Sequence, residues 1–269
     1  MKKISSLQLG APWVGVFAAI ACCVIINFSS RAAEPLRALL ITGGCCHDYN
    51  SQKKILTEGI NARVNVKWTV IHEHETDKKH KPDIYTNANW AQGFDVVVHN
   101  ECFGGVTNNA FVERIARPHL DGLPAVVLHC SMHSYREAST DDWRKVLGVS
   151  SYRHQQHVAF EVKNLKPEHP VMKGFPASWQ TPKGELYEIE KLWPGCLPLA
   201  EAYGVRTKKE HTCVWVNSSG KIRTFGTTIG HFNEEMDNEV FLGLVSRGLL
   251  WACDKLDADG KPKAGFGKQ

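Results

Sequence analysis

The 269-residue sequence has no CxxC pair, no HExxH and no glycine-flanked nucleophile of the G-x-S-x-G kind. The first absence argues against a zinc ribbon, and the second against the helix-borne site of a metalloprotease. The third argues against a strand-to-helix elbow that aims a serine or cysteine at a substrate. Excess charge is lacking too. The formal net charge is +4, and removing residues 1–32 deletes Lys2, Lys3 and Arg31 but no acid, which leaves +1. Nucleic-acid binding therefore has no compositional support. No internal repeat and no linker break the chain, so residues 35–257 read as one domain. Residues 258–269, rich in Gly and Lys, are expected to be a disordered tail.

The N-terminus reads as an export signal. Lys2 and Lys3 precede an apolar stretch, Trp13 to Ile26, and Ser30-Arg31-Ala32 supplies small residues for cleavage. The stretch is short for a membrane span, which needs about 20 residues. A cleaved signal peptide over residues 1–32 is expected, with a periplasmic or extracellular protein and no stable membrane span in the mature form. A lipoprotein reading, from Cys22 after Ala21, is weaker. Seven cysteines follow the signal: Cys45, Cys46, Cys102, Cys130, Cys196, Cys213 and Cys253. The number is odd, so at least one is unpaired unless it bonds another chain, and one or two disulfides are compatible with an oxidising compartment.

What the sequence has is short apolar runs. LRALLIT (36–42), DVVVH (95–99) and AVVL (125–128) are apolar without alternation, as in parallel strands covered on both faces. VNVKWTVI (64–71) is a further strand, and residues 51–60 and 108–116 read as helices. The second half carries strand-like segments near 158–162, 197–202, 212–216 and 222–228, then a helix over 237–253. The expected fold is α/β, a three-layer sandwich with a mainly parallel central sheet and extra antiparallel strands in the second half.

Thirteen histidines are many for this length. In open α/β sheets ligands bind beyond the carboxyl ends of the strands. Four strand ends deliver a histidine there: GGCCHD to His47, VVVHNE to His99, VVLHCSMH to His129 and His133, and GHFNE to His231. Several features recur in order along the chain. They are Gly43-Gly44, His47-Asp48, Leu128-His129, His154 with His157, His169-Pro170 with Gly174, Glu185-Leu186-Tyr187, Gly230-His231 and Leu249-Leu250-Trp251-Ala252. This ordered set resembles the trehalose-utilisation (ThuA-like) family. The resemblance implies a flavodoxin-like fold of the class I glutamine amidotransferase type and a role in sugar utilisation.

His129, His231, His47 and Glu185 are the candidate catalytic groups, with histidine as proton carrier near neutral pH. Asp48, His133, Glu101 and His157 are candidates for holding substrate. His129, His133, His154 and His157 are a candidate ligand set for a divalent metal such as zinc, with Asp48, Glu101 and Glu234 orienting the rings. The alternative is that these histidines bond a sugar or move protons with no metal. Cys130 draws notice as a nucleophile, but its neighbours lack the elbow's glycines, and a buried, unreactive thiol is the better reading. Trp90, Trp143 and Trp193 would either stack on a sugar or pack in the core. The function expected is acid/base chemistry on a sugar or keto-sugar, with a small-molecule carbohydrate as partner and self-association into a homo-oligomer left open. Two rivals stand beside it: a cysteine-dependent amidotransferase-like hydrolase, and a non-catalytic sugar-binding module.

Overall fold

A computed structural model describes residues 33–268, together with Met1 and Gly10. The expected signal peptide lies outside the described residues. Among those described, no helix is long and apolar enough to cross a membrane.

The chain runs β1 (Leu36–Gly44), α1 (Tyr49–Asn61), β2 (Val66–Glu73), β3 (Val96–Cys102), α2 (Asn109–Leu120), β4 (Ala125–Leu128), α3 (Asp142–Leu147) and β5 (Val149–Val158). It continues through β6 (Glu161–Asn164), β7 (Ser178–Gln180), β8 (Gly184–Leu192), β9 (Cys196–Gly204), β10 (Lys209–Asn217), β11 (Thr224–Thr227), α4 (Asn233–Met236) and α5 (Glu239–Ala252). Nine strands form one sheet in the order β2-β1-β3-β4-β11-β10-β9-β6-β7. The first five pair in parallel and the last four antiparallel. This is the mixed sheet expected from the apolar runs followed by closely spaced strands. β5 and β8 stand apart as a two-stranded antiparallel arm.

Both sheet faces are covered, which is why β1, β3 and β4 read as unbroken apolar runs. Leu40, Val98 and Val126 point to a core shared with Leu56 of α1 and Phe241 and Leu249 of α5. Leu39, Ile41, Val97 and Val127 point the other way, to Phe111 and Ile115 of α2 and Trp143 of α3. Gly248 in α5 lies directly over the Phe225 ring, and any side chain there would strike it.

The tail departs from expectation. Residues 257–268 are folded onto the amino ends of β1 and β2 rather than disordered. Val64 bridges Gly267, the Asn65 amide donates to the Phe266 carbonyl at 3.0 Å, and Phe266 packs against the core. The charged, glycine-rich composition concealed one apolar anchor, Phe266, and turns closed by Asp257.

Candidate active site

The carboxyl ends of β1, β4 and β11 bring His47, His129 and His231, from three of the four strand ends, together. β1 ends in Gly43 (φ +132°) and Gly44 (φ +104°), where any Cβ would strike the backbone of Glu73 or Cys102, and the chain then turns away from the sheet. The turn delivers His47, and Asp48 then caps α1 by accepting from the Ser51 amide. After β4, His129 itself adopts φ +44°, a conformation unusual for a side-chain-bearing residue and common at functional sites. The His47 ring centroid lies 4.9 Å from that of His129 and 4.6 Å from that of His231.

The β5–β8 arm closes over them and supplies Glu185, whose carboxylate is ringed by histidines. Glu185 Oε1 lies 2.6 Å from His157 Nε2 and 2.9 Å from His154 Nδ1; Oε2 lies 3.3 Å from His129 Nε2 and 3.4 Å from His231 Nδ1. Burial works to raise the Glu185 carboxyl, but its close approach to the His129 and His231 rings outweighs burial and holds the group well below the usual carboxylate range. His129 is itself buried, which pushes its imidazole down toward the neutral form. Burial also drives His47 and His133 down to about 2. Burial thus favours the neutral form of His47, His129 and His133 around an ionised Glu185.

The tautomer of His129 follows from its surroundings. Nδ1 sits 2.6 Å from the Thr228 carbonyl oxygen, which can only accept, so Nδ1 carries the proton. In neutral His129 the bare Nε2 then faces the Glu185 carboxylate, with His231 Nδ1 at 3.2 Å and the Tyr187 hydroxyl at 3.4 Å. A lone pair facing an anion leaves room for a cation or a shared proton between them. His47 adds a second sign: both its ring nitrogens are buried without a hydrogen-bond partner. His47, His129 and His231 each offer a nitrogen within 4.8 Å of the others, a spacing that fits a three-histidine metal position. His154, His157 and Glu185 form a second such group.

The ligand set expected from sequence is thus redistributed. His129 groups with His47 and His231, while His154 and His157 group with Glu185. His133 stacks face to face on Tyr187 at 3.8 Å and is within hydrogen-bond distance of Ser151 Oγ at 2.9 Å. It therefore lines the pocket rather than joining either group. Glu101, expected to hold substrate, is fully buried beneath the site. It accepts from the Tyr85 hydroxyl at 2.9 Å and lies 2.9 Å from His99 Nδ1. His99, expected at the fourth strand end, points into this core network and meets His119 at 3.0 Å. Asp48 bonds the Asn233 side chain as well as its helix, and Glu234 is exposed, so neither orients a ring. Those tasks fall to Glu185 and the Thr228 carbonyl. Trp90 and Trp143 are core residues, and Glu188 is buried against Arg206 and Gln155.

Two site residues escaped sequence reasoning. Tyr187 carried only a motif signal. Glu235, fully buried, accepts from the His231 and Phe232 amides at 2.9 and 3.3 Å and fixes the loop that holds His231. Burial raises its carboxyl to about 8. The resulting pocket holds about 300 Å³ and is lined by His47, His133, His154, His157, Glu185, Tyr187 and His231, with Lys78 and Arg136 at its wall. His129, 1% exposed, lies one layer behind.

The pattern that defines the ThuA family, described as trehalose utilisation, matches residues 37–252. No curated protein matches the chain. Among solved structures, a ThuA-like protein from Parabacteroides merdae is 18% identical with a TM-score of 0.67, covering 87% of this chain and 96% of its own. One from Bacteroides uniformis is 16% identical with a TM-score of 0.60, covering 88% and 99%. The glutaminase domain of a Trypanosoma brucei CTPS, with bound acivicin, is 12% identical with a TM-score of 0.53, covering 86% and 99%. These likenesses establish the fold as the glutamine amidotransferase-like sandwich expected from sequence.

Proposed function

Because the chain belongs to the ThuA family, described as trehalose utilisation, we propose that it performs acid/base chemistry next to a carbonyl of a sugar or oxidised (keto) sugar. The observation that carries this reading is the Glu185 carboxylate, set within hydrogen-bond or ion-pair distance of four histidine rings in the pocket. Such a carboxylate can take a proton from a carbon beside a carbonyl. His154 and His157, both exposed on the arm, can relay that proton to solvent. Tyr187 and His231 reach the substrate oxygen, and His129 positions both from behind rather than touching substrate. His47, His129 and His231 would hold a divalent cation such as zinc, which when bound supplies Lewis-acid polarisation of that oxygen. Export of the protein remains part of this reading, since a sugar scavenged outside the cytoplasm suits the expected signal peptide.

The rival thiol hydrolase is disfavoured by one observation: the Cys130 sulfur is bonded to Cys102. The test follows exchange of carbon-bound hydrogen for deuterium by NMR, using keto derivatives of trehalose and related disaccharides, with trehalose itself as the carbonyl-free control. Wild type should exchange the position beside the carbonyl, and Glu185→Gln should lower the rate by about 10²–10⁴. Full turnover in both His129→Ala and His231→Ala would overturn the reading. Tight sugar binding with neither exchange nor product would favour a binding module.

A further inference from the structure

Four of the seven cysteines expected in the mature chain meet on one wall of the pocket, although they come from three separate strand ends. Cys45 and Cys46 follow β1, Cys102 ends β3 and Cys130 follows His129 after β4. They are paired as Cys45–Cys46 and Cys102–Cys130. The two pairs touch: Cys45 Sγ lies 3.6 Å from Cys102 Sγ. Their access to solvent differs. Cys46 is exposed, whereas Cys102 and Cys130 are only 5% and 8% exposed. Cys46 is held at φ +84°, a backbone state that side-chain-bearing residues rarely adopt outside sites where geometry is imposed.

We propose that these four sulfurs form a thiol–disulfide relay, in which the exposed Cys45–Cys46 pair passes reducing equivalents from an external dithiol to the buried Cys102–Cys130 bridge. The inference rests on the sulfur geometry alone and not on the sugar chemistry above. Exchange proceeds by attack of a thiolate on a disulfide sulfur. A thiolate of the dithiol attacks Cys46 Sγ, the Cys45–Cys46 bond breaks, and Cys45 leaves as a thiolate. Cys45 then attacks Cys102 Sγ, forming Cys45–Cys102 and releasing Cys130 as a thiolate that takes up a proton. The second thiol of the reductant resolves the mixed disulfide at Cys46 and departs with the first as an oxidised disulfide. Cys46, now a thiolate, attacks Cys45, which restores the vicinal pair and frees Cys102. The net reaction moves two electrons and two protons from the dithiol to Cys102–Cys130, and the vicinal pair is unchanged. The product is a Cys130 thiol on the wall of the histidine pocket, beside the turn that carries His129. Opening the bridge also unties that turn from the end of β3, so the redox state of the wall is coupled to the placement of His129.

The test uses the purified full chain, treated with a dithiol for timed intervals, quenched and alkylated. Peptide mass spectrometry then reads label at each cysteine. In wild type Cys102 and Cys130 should become labelled while the protein stays folded. In Cys45→Ser their labelling should slow by about tenfold or more, since an intramolecular attack is replaced by a bimolecular one at buried sulfurs. Cys46→Ser should do the opposite. It leaves Cys45 as a free thiol beside Cys102, so Cys130 should accept label with no reductant added and a Cys45–Cys102 peptide should appear. A fold weakened by substitution would expose the bridge in both variants alike, so these opposite outcomes exclude that explanation. Equal labelling rates in wild type and Cys45→Ser, or no Cys45–Cys102 peptide in Cys46→Ser, would overturn the relay.

Discussion

Acidification from about pH 6.5 to about 4.5 should strip the metal-free protein of much of its stability, because several histidines are enclosed where they cannot become charged. Burial holds His119 at about 3 and His133 at about 2, against an unfolded value near 6.5. Between those limits the unfolded chain binds a proton on each that the folded chain does not, so stability is present at neutral pH and lost as pH falls. Each contributes about 1.4 kcal/mol per pH unit, or roughly 5–6 kcal/mol for the pair over two units. Glu235 acts in the opposite sense. Its folded value of about 8 lies above the unfolded carboxyl, so the folded chain holds the extra proton and gains stability as pH falls. That offsets about half, leaving a net loss of about 3 kcal/mol, a large share of the roughly 5–15 kcal/mol typical of a domain. His47, which lines the pocket, adds to the loss and is left out of the figure. Urea denaturation at a series of pH values measures it. His119→Gln isolates one contribution: it should cut the slope by about 1.4 kcal/mol per unit while lowering stability at pH 7. Stability that is flat or rises from pH 6.5 to 4.5, or a slope unchanged in His119→Gln, would refute the reasoning.

Glu235→Gln removes the opposing contribution, so its stability relative to wild type should rise by about 1.4 kcal/mol per unit between about pH 4.5 and 8, read from the same denaturation series. Phe266→Ala should cost about 1–3 kcal/mol in thermal or urea unfolding, because Phe266 anchors residues 257–268 to the core; an unchanged midpoint would mean the tail is not held. Protein incubated with zinc and desalted should retain metal by elemental analysis, and the double variant His129→Ala/His231→Ala should lose it. Retention by the double variant would remove the three-histidine position.

The layers were legible wherever one residue pattern had one outcome. LRALLIT, DVVVH and AVVL could only be strands covered on both faces, and they set the parallel half of the sheet. The histidines at their carboxyl ends were legible as a group for the same reason. Which of them would converge was not. His99 lies midway along β3 rather than at its end, and strand alternation turns it toward α2, where it meets His119 instead of substrate. The β5–β8 arm was the larger omission. Its ten- and nine-residue strands pair with shifts in register between Ser150 and His157, and their mixed burial, exposed at His154 and His157 and buried at Gln155 and Glu185, follows no simple period. Only tertiary contact with the histidines decides that Glu185 is buried and Glu190 is not. The vicinal pair carried no spacing signal, since Cys45 and Cys46 meet Cys102 and Cys130 only because β1, β3 and β4 lie side by side.

One amide side chain holds both ends of the described domain. Asn65, just before β2, donates from Nδ2 to the Ala33 carbonyl at 3.2 Å and to the Gly265 carbonyl at 2.9 Å. That junction lies at the amino ends of the strands, whereas the histidine pocket opens at their carboxyl ends. Protein immobilised on a support through either end would thus present its pocket outward, free of the surface. A short peptide joining residues 33 and 268, with a new opening cut in the turn at the exposed Lys208, would give a circular permutant that keeps the Phe266 anchor.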